Sequence, residues 1–243
     1  MSICVNNDLI WVATPKCASM SIECAFINSN LNIDHYKYGQ SKSYPEHHHI
    51  RLSDLYQKFG KKDTAVIKRD YFDRWISGLQ YLWMMYEEKN YEIIIKWEDI
   101  NNDFIYETFT PEFIDQIYSL PSSVNSSDLL SFSEINKYKE VLKLITSKLV
   151  KPKLKDSNTP FNPYFLLKSQ SHWVDNNKCT YEFNISEIDK FENFISNRYN
   201  VKFKVCKLNQ NKSRKNQIIK DEKLKQWVWD NFEKRFEKRN SLI

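Results

Sequence analysis

Two short runs constrain this fold most: residues 9–14 (LIWVAT) and 64–68 (TAVIK) are apolar and β-branched, and each leads within a few positions into a helical stripe. A half-exposed strand would alternate apolar and polar residues, so runs of this kind read as strands covered on both faces. After the first run, Met20, Ile22, Ala25 and Phe26 recur near helical spacing over residues 19–28. After the second, Trp75, Leu79, Leu82 and Met85 form one stripe over 71–86, with Asp70 at the N-cap position and Asp73 in the first turn. A third unit joins 179–183 (CTYEF) to a helix over 186–199 carrying Ile188, Phe191, Phe194 and Ile195. This alternation predicts an α/β protein with a parallel β-sheet flanked by helices on both faces, whose ligands bind at the carboxyl ends of the strands.

The rest of the chain is less patterned. Residues 111–149 read as helical, 93–97 (IIIKW) as a buried strand, 151–163 as a proline-bearing loop and 201–205 as a strand. A last helix over 221–239 turns Leu224, Trp227, Val228, Phe232 and Phe236 inward. No repeat or low-complexity tract interrupts the chain, so a single domain over 1–243 is expected. Trp75, Trp83, Trp97, Trp227 and Trp229 are expected to pack the interior. The five cysteines are odd in number and lack a CxxC pair, which points to reduced thiols and no metal site. The 36 Lys and Arg against 31 Asp and Glu leave a formal charge of +5 spread along the chain. That modest excess can attract an anionic acceptor but gives no reason to expect nucleic acid. No apolar run approaches the ~20 residues of a membrane span. The N-terminus has no secretory leader, so the expected location is cytoplasmic.

Two strand ends suit an anion. Pro15-Lys16-Cys17-Ala18-Ser19-Met20-Ser21 joins the first strand to its helix, where first-turn N–H groups, two hydroxyls and the Lys16 ammonium can converge. Its lysine precedes the turn and no glycine is near, so it is not a Walker loop. In Lys68-Arg69-Asp70-Tyr71-Phe72-Asp73-Arg74-Trp75-Ile76-Ser77, Arg69 stands at a strand end and Ser77 about two turns into the next helix. An arginine fork can grip a phosphate and a serine can add a directed bond. Taken alone, the first segment could equally be a solvated lysine at an ordinary helix start, and the second reads first as a surface arginine paired with Asp70 or Asp73; the coincidence of two anion-suited strand ends in one sheet shifts the balance.

Together the two segments resemble the sulfotransferase family. PKCASMS is similar to its 5′-phosphosulfate loop, commonly PKxxS/T, and VIKRDYFDRWISGLQY to its 3′-phosphate segment, commonly RDPxxRxxSxYxY. The nearest likeness is to the carbohydrate branch with the uronyl 2-O-sulfotransferases. That resemblance implies a P-loop-like sulfotransferase fold and the donor 3′-phosphoadenosine 5′-phosphosulfate, with adenosine 3′,5′-bisphosphate as product. It places Lys16, Cys17, Ala18, Ser19, Met20 and Ser21 at the 5′ end and Arg69 and Ser77 at the 3′-phosphate. Asn211, Ser213 and Arg214 resemble a loop that closes over the nucleotide. The family's proline after Arg-Asp is Tyr71 here, which loses a fixed φ at the first helical position although Asp70 can still cap.

A base is needed beside the transferred group, and His47-His48-His49 is the histidine cluster. An imidazole can accept a proton near neutral pH. In the related enzymes the second histidine of an HxHV segment is the base, which implies this role for His49, with His47 and His48 beside the acceptor. Gln170, His172 and Trp173 lie in a segment read as substrate-facing, and His172 is the alternative base. The expected function is therefore in-line transfer of a sulfuryl group to an acceptor hydroxyl, on a saccharide or a small molecule, by a soluble microbial or viral enzyme. Two other readings compete: a nucleotide kinase on a similar sheet, which the missing Walker glycines disfavour, and a non-catalytic module for anionic polymers. The sequence leaves oligomeric state open.

Overall fold

The structure, a computed structural model, describes residues 2–35, 49–88, 92–119, 140, 146–147, 149–151, 163–175, 179–206 and 216–234. His47, His48, Asn211, Ser213 and Arg214 lie outside them. The chain packs as two compact units, Met1–Arg74 with Ser169–Lys212 and Trp75–Lys168 with Ser213–Ile243.

The first unit is built on a five-stranded sheet of order β3-β1-β2-β4-β7. Its strands are β1 (Ile3–Val5), β2 (Leu9–Val12), β3 (Ile33–His35), β4 (Asp63–Lys68) and β7 (Tyr181–Asn184). β2, β4 and β7 run parallel, as the apolar runs predict, but β1 pairs antiparallel with both β2 and β3. The sheet is thus mixed and not wholly parallel. The cause is a tight turn: Asn6 and Asn7 have φ of 45° and 58°, and the Asp8 N–H donates to the Val5 carbonyl at 3.0 Å. Positive φ at both central residues is the type I′ signature that closes antiparallel hairpins, and asparagine tolerates it.

Both faces of this sheet are covered. Ile3, Val5, Leu9, Trp11, Ala65 and Ile67 point to one side. There they meet Ile22, Ala25 and Phe26 of α1 (Ser19–Ile27) together with Phe191 and Ile195 of a later helix, Ile188–Tyr199. Cys4, Ile10, Val12 and Val66 point to the other side, against Leu52 and Leu55 of α2 (Leu52–Phe59) and Val174. This two-residue alternation of buried side chains on strands that are apolar throughout is what the unbroken runs require. The expected strand at 201–205 is not formed: this stretch is irregular and pairs with no strand among the described residues. Its N–H groups bond side chains of the helix before it: Phe203 donates to Ser196 Oγ at 3.2 Å and Val205 to the Glu192 carboxylate at 2.8 Å.

At the amino end of the parallel strands, Arg198 donates to Asp8 before β2 (3.0 Å) and to Asp63 at the start of β4 (2.9 Å). The Tyr199 hydroxyl donates to Asp8 at 2.6 Å. Burial alone would lower the Arg198 pKa, but the bonds from Asp8 and Asp63 outweigh it and hold the guanidinium firmly charged.

β4 leads into α3 (Tyr71–Glu88), whose first turn is capped as expected: Asp70 Oδ1 accepts from the N–H groups of Phe72 (3.1 Å) and Asp73 (3.0 Å). The second unit contains the rest of α3, α4 (Asn102–Thr108), α5 (Pro111–Ser119) and a two-stranded antiparallel sheet of β5 (Glu92–Ile93) and β6 (Val150–Lys151). The expected buried strand at 93–97 shrinks to two residues. Ile94 is exposed, and from Trp97 the chain enters a 3-10 turn, Trp97–Asp99, with the indole buried. Trp83 donates to the Ile95 carbonyl at 3.0 Å, using the acceptor a longer ladder would need. Trp75 meets Phe109 and Trp227 edge to face and Phe232 at a tilt, and Trp75, Trp83 and Trp97 are interior packing as expected. Gly78 admits the Leu166 carbonyl, which would lie 2.7 Å from an added Cβ. Within the second unit, the last helical segment is α-helical over Glu222–Val228 and widens to π-helical over Trp229–Glu233, with Leu224, Val228 and Phe232 buried.

Candidate functional site

The carboxyl ends of β2 and β4 are neighbours in a parallel pair, so the segments that follow them share one edge of the sheet. Thr14 fixes the join: its hydroxyl donates to the Ile67 carbonyl at 2.9 Å. Beyond Thr14 the turn takes two left-handed residues, Lys16 at φ 62° and Ala18 at φ 58°. For a residue with a Cβ this conformation costs about 1–2 kcal/mol. Alternation of this kind in a tight turn aims successive N–H groups into a concavity that suits anions. Ala18 is also the N-cap of α1 and supplies no side-chain acceptor to the first-turn N–H groups. Ser19 and Ser21 are buried in that turn, while the Met20 side chain is exposed.

Two cations, Lys16 and Arg69, are neighbours here. Lys16 is half-buried, and burial first, then the adjacent Arg69 cation, push its pKa down to about 8. Arg69 Nη1 reaches the Lys16 carbonyl at 3.5 Å. The Arg69 backbone is held by one side chain: its N–H donates to Gln170 Oε1 at 2.9 Å, and Gln170 Nε2 donates to its carbonyl at 2.6 Å. The Cys17 thiol, buried under the turn, donates to the same Oε1 at 3.5 Å.

His49 lies at the same edge. It is buried, and its Nδ1 stands 2.8 Å from the carbonyl of Ala13, the residue that opens the turn. A carbonyl only accepts, so this contact places the proton on Nδ1 and the lone pair of the neutral ring on Nε2. The ring packs on Trp173 at 5.8 Å between centroids. Trp173 is fully buried, and His172 meets it edge-on at 5.0 Å. Both histidine candidates within the described residues therefore flank one indole. Gln170, His172 and Trp173 share α6 (Gln170–Trp173), in which the His172 N–H donates to Ser169 Oγ at 3.1 Å. The chain after His49 is anchored as well: Asp175 accepts the Ser53 N–H at 2.6 Å, capping α2, and pairs with Arg51.

Lys16, Cys17, Ala18, Ser19, Met20, Ser21, Arg69 and His49 are thus brought to one sheet edge of the first unit. Ser77, half-buried on α3, belongs to the second. Sequence reasoning missed the two left-handed turn residues and the Gln170 clamp. The turn contains no glycine to announce positive φ, and the clamp joins positions 101 residues apart. Among the described residues no group of three or more His, Cys, Asp or Glu could hold a metal ion, and no helix is long and apolar enough to cross a membrane. No family model, curated protein or solved structure matches the chain.

Proposed function

We propose that the chain is a sulfotransferase that moves a sulfuryl group from 3′-phosphoadenosine 5′-phosphosulfate to an acceptor hydroxyl, with a saccharide as the acceptor class. One juxtaposition carries this reading: the strained turn from Lys16 to Ser21, Arg69 and His49 meet at the carboxyl ends of two adjacent parallel strands. The turn is suited to the 5′-phosphosulfate, and Arg69 to the second phosphate of the same donor substrate. The acceptor oxygen attacks sulfur and forms the new S–O bond, and its proton passes to His49 Nε2. The bond from sulfur to the bridging oxygen breaks, and the electron pair leaves with adenosine 3′,5′-bisphosphate. Lys16 and the first-turn N–H groups of α1 offset the charge that grows on that oxygen. The Ala13 carbonyl keeps the His49 lone pair on the nitrogen that must take the proton. By analogy with phosphoryl transfer, positioning and charge compensation supply most of the acceleration.

The test is incubation with isotopically labelled donor and a panel of saccharide and small hydroxyl acceptors, read by mass detection of a sulfated product. A sulfated acceptor formed by the wild type and lost in His49→Asn supports the reading. Failure of the wild type to bind adenosine 3′,5′-bisphosphate in calorimetry ends it.

A further inference from the structure

We infer that Gln170 is a positioning residue for the donor site, holding Arg69 and the Lys16 turn in register, and is not an acceptor-binding group. The inference rests on the sulfotransferase reading above.

Both ends of the Gln170 amide are engaged. An N–H must donate and a carbonyl must accept, so only one orientation of the amide satisfies both Arg69 backbone groups, with Oε1 on the N–H and Nε2 on the carbonyl. In that orientation Oε1 also takes the Cys17 thiol. One side chain therefore joins the residue after β4 to the turn after β2. These are the two places where an anion would have to find its donors at a fixed separation. No other proteinogenic side chain repeats this pattern: asparagine is one methylene shorter, glutamate loses the donor, and leucine loses both partners. The rest of the segment acts in the same sense, with Trp173 buried against His49 and Asp175 capping α2 and pairing with Arg51. Residues 170–175 thus form a frame behind the site instead of a wall facing a substrate.

The experiment compares wild type, Gln170→Leu and Gln170→Glu by calorimetry with adenosine 3′,5′-bisphosphate, by donor kinetics and by thermal melting. Loss of two part-buried hydrogen bonds at the Arg69 backbone is expected to weaken bisphosphate binding by about tenfold or more in Gln170→Leu. The KM for the donor should rise with it, while kcat falls by less than about threefold. Gln170→Glu keeps the acceptor and loses the donor, so its deficit relative to wild type is large at pH 7.5 and shrinks as pH falls through the carboxyl's own titration, at about 4.3 for an ordinary glutamate, where a protonated carboxyl regains an O–H. A merely structural role would reduce the amount of folded protein and leave Kd and its pH dependence as in the wild type. If Gln170→Leu does not fold, Gln170→Glu and its pH profile decide. Wild-type affinity retained within twofold in the folded variants overturns the inference alone. Absence of binding by the wild type overturns it together with the sulfotransferase reading.

Discussion

At the amino end of the parallel strands, Arg198 lies between Asp8 and Asp63, with Tyr199 completing the set, and each charge meets its opposite. At the carboxyl end, Lys16 faces Arg69, and burial and like charge both act to strip its proton. The first cluster is a staple between the hairpin, the start of β4 and the end of α7 (Ile188–Tyr199). The second is destabilised by its own charges and by two left-handed residues. Backbone strain of this kind gathers where a ligand is to be met. The contrast separates the end of the sheet that serves stability from the end suited to binding.

Four measurements would break or sharpen that contrast. The largest effect is expected from Lys16→Ala, which should lower turnover by about 10²–10³-fold, the loss typical of removing a group that meets developing charge. Burial and the Arg69 charge both disfavour the Lys16 cation, so the variant's melting temperature should fall by no more than a few degrees. A loss below tenfold in the labelled-donor assay would remove Lys16 from the leaving-group role. Next, Arg198→Ala should cost about 1–3 kcal/mol in urea unfolding, since it strands Asp8 and Asp63 near each other without their partner. Bisphosphate affinity should stay as in the wild type, and a change there would mean that the two ends are coupled.

The third is a pH series. Lys16 has a folded pKa of about 8 against 10.5 for an ordinary lysine. Between these values the unfolded chain binds more protons than the folded one, so this residue makes stability rise with pH across that window. Anion binding runs the other way and weakens as pH rises through about 8, where the ammonium charge is lost. In Lys16→Arg, which stays charged, calorimetry should show this alkaline weakening abolished. The smallest effect belongs to Ala18→Gly. Relief of left-handed strain, less the greater chain entropy of glycine, should stabilise the fold by up to about 1 kcal/mol. A destabilised variant would show that the turn is not strained.

Much of the scaffold was legible because its signals are local. β2 with α1 and β4 with α3 follow from apolar runs and helical stripes within a few residues, and the Asp70 cap from one side chain at a strand end. The hairpin signal at Asn6-Asn7 is equally local, carried by two asparagines that tolerate positive φ. The stretch at 201–206 was not legible as coil, because its N–H groups are taken by Glu192 and Ser196 of α7, a competition absent from the pattern of Val201, Phe203 and Val205. Residue types at the site were legible for the same local reason, as a lysine, serines and an arginine at strand ends. Their conformation was not: nothing in PKCAS announces left-handed Lys16 and Ala18, and nothing near Arg69 announces a partner as distant as Gln170.

A strand-to-helix turn made without glycine has few shapes open to it. Where a glycine-rich loop must search among conformers before it closes on an incoming anion, the turn from Lys16 to Ser21 is fixed by the fold that surrounds it. Capture in a stopped-flow experiment should then appear as a single bimolecular phase whose rate climbs linearly with bisphosphate concentration and reaches no plateau, limited by collision and not by rearrangement.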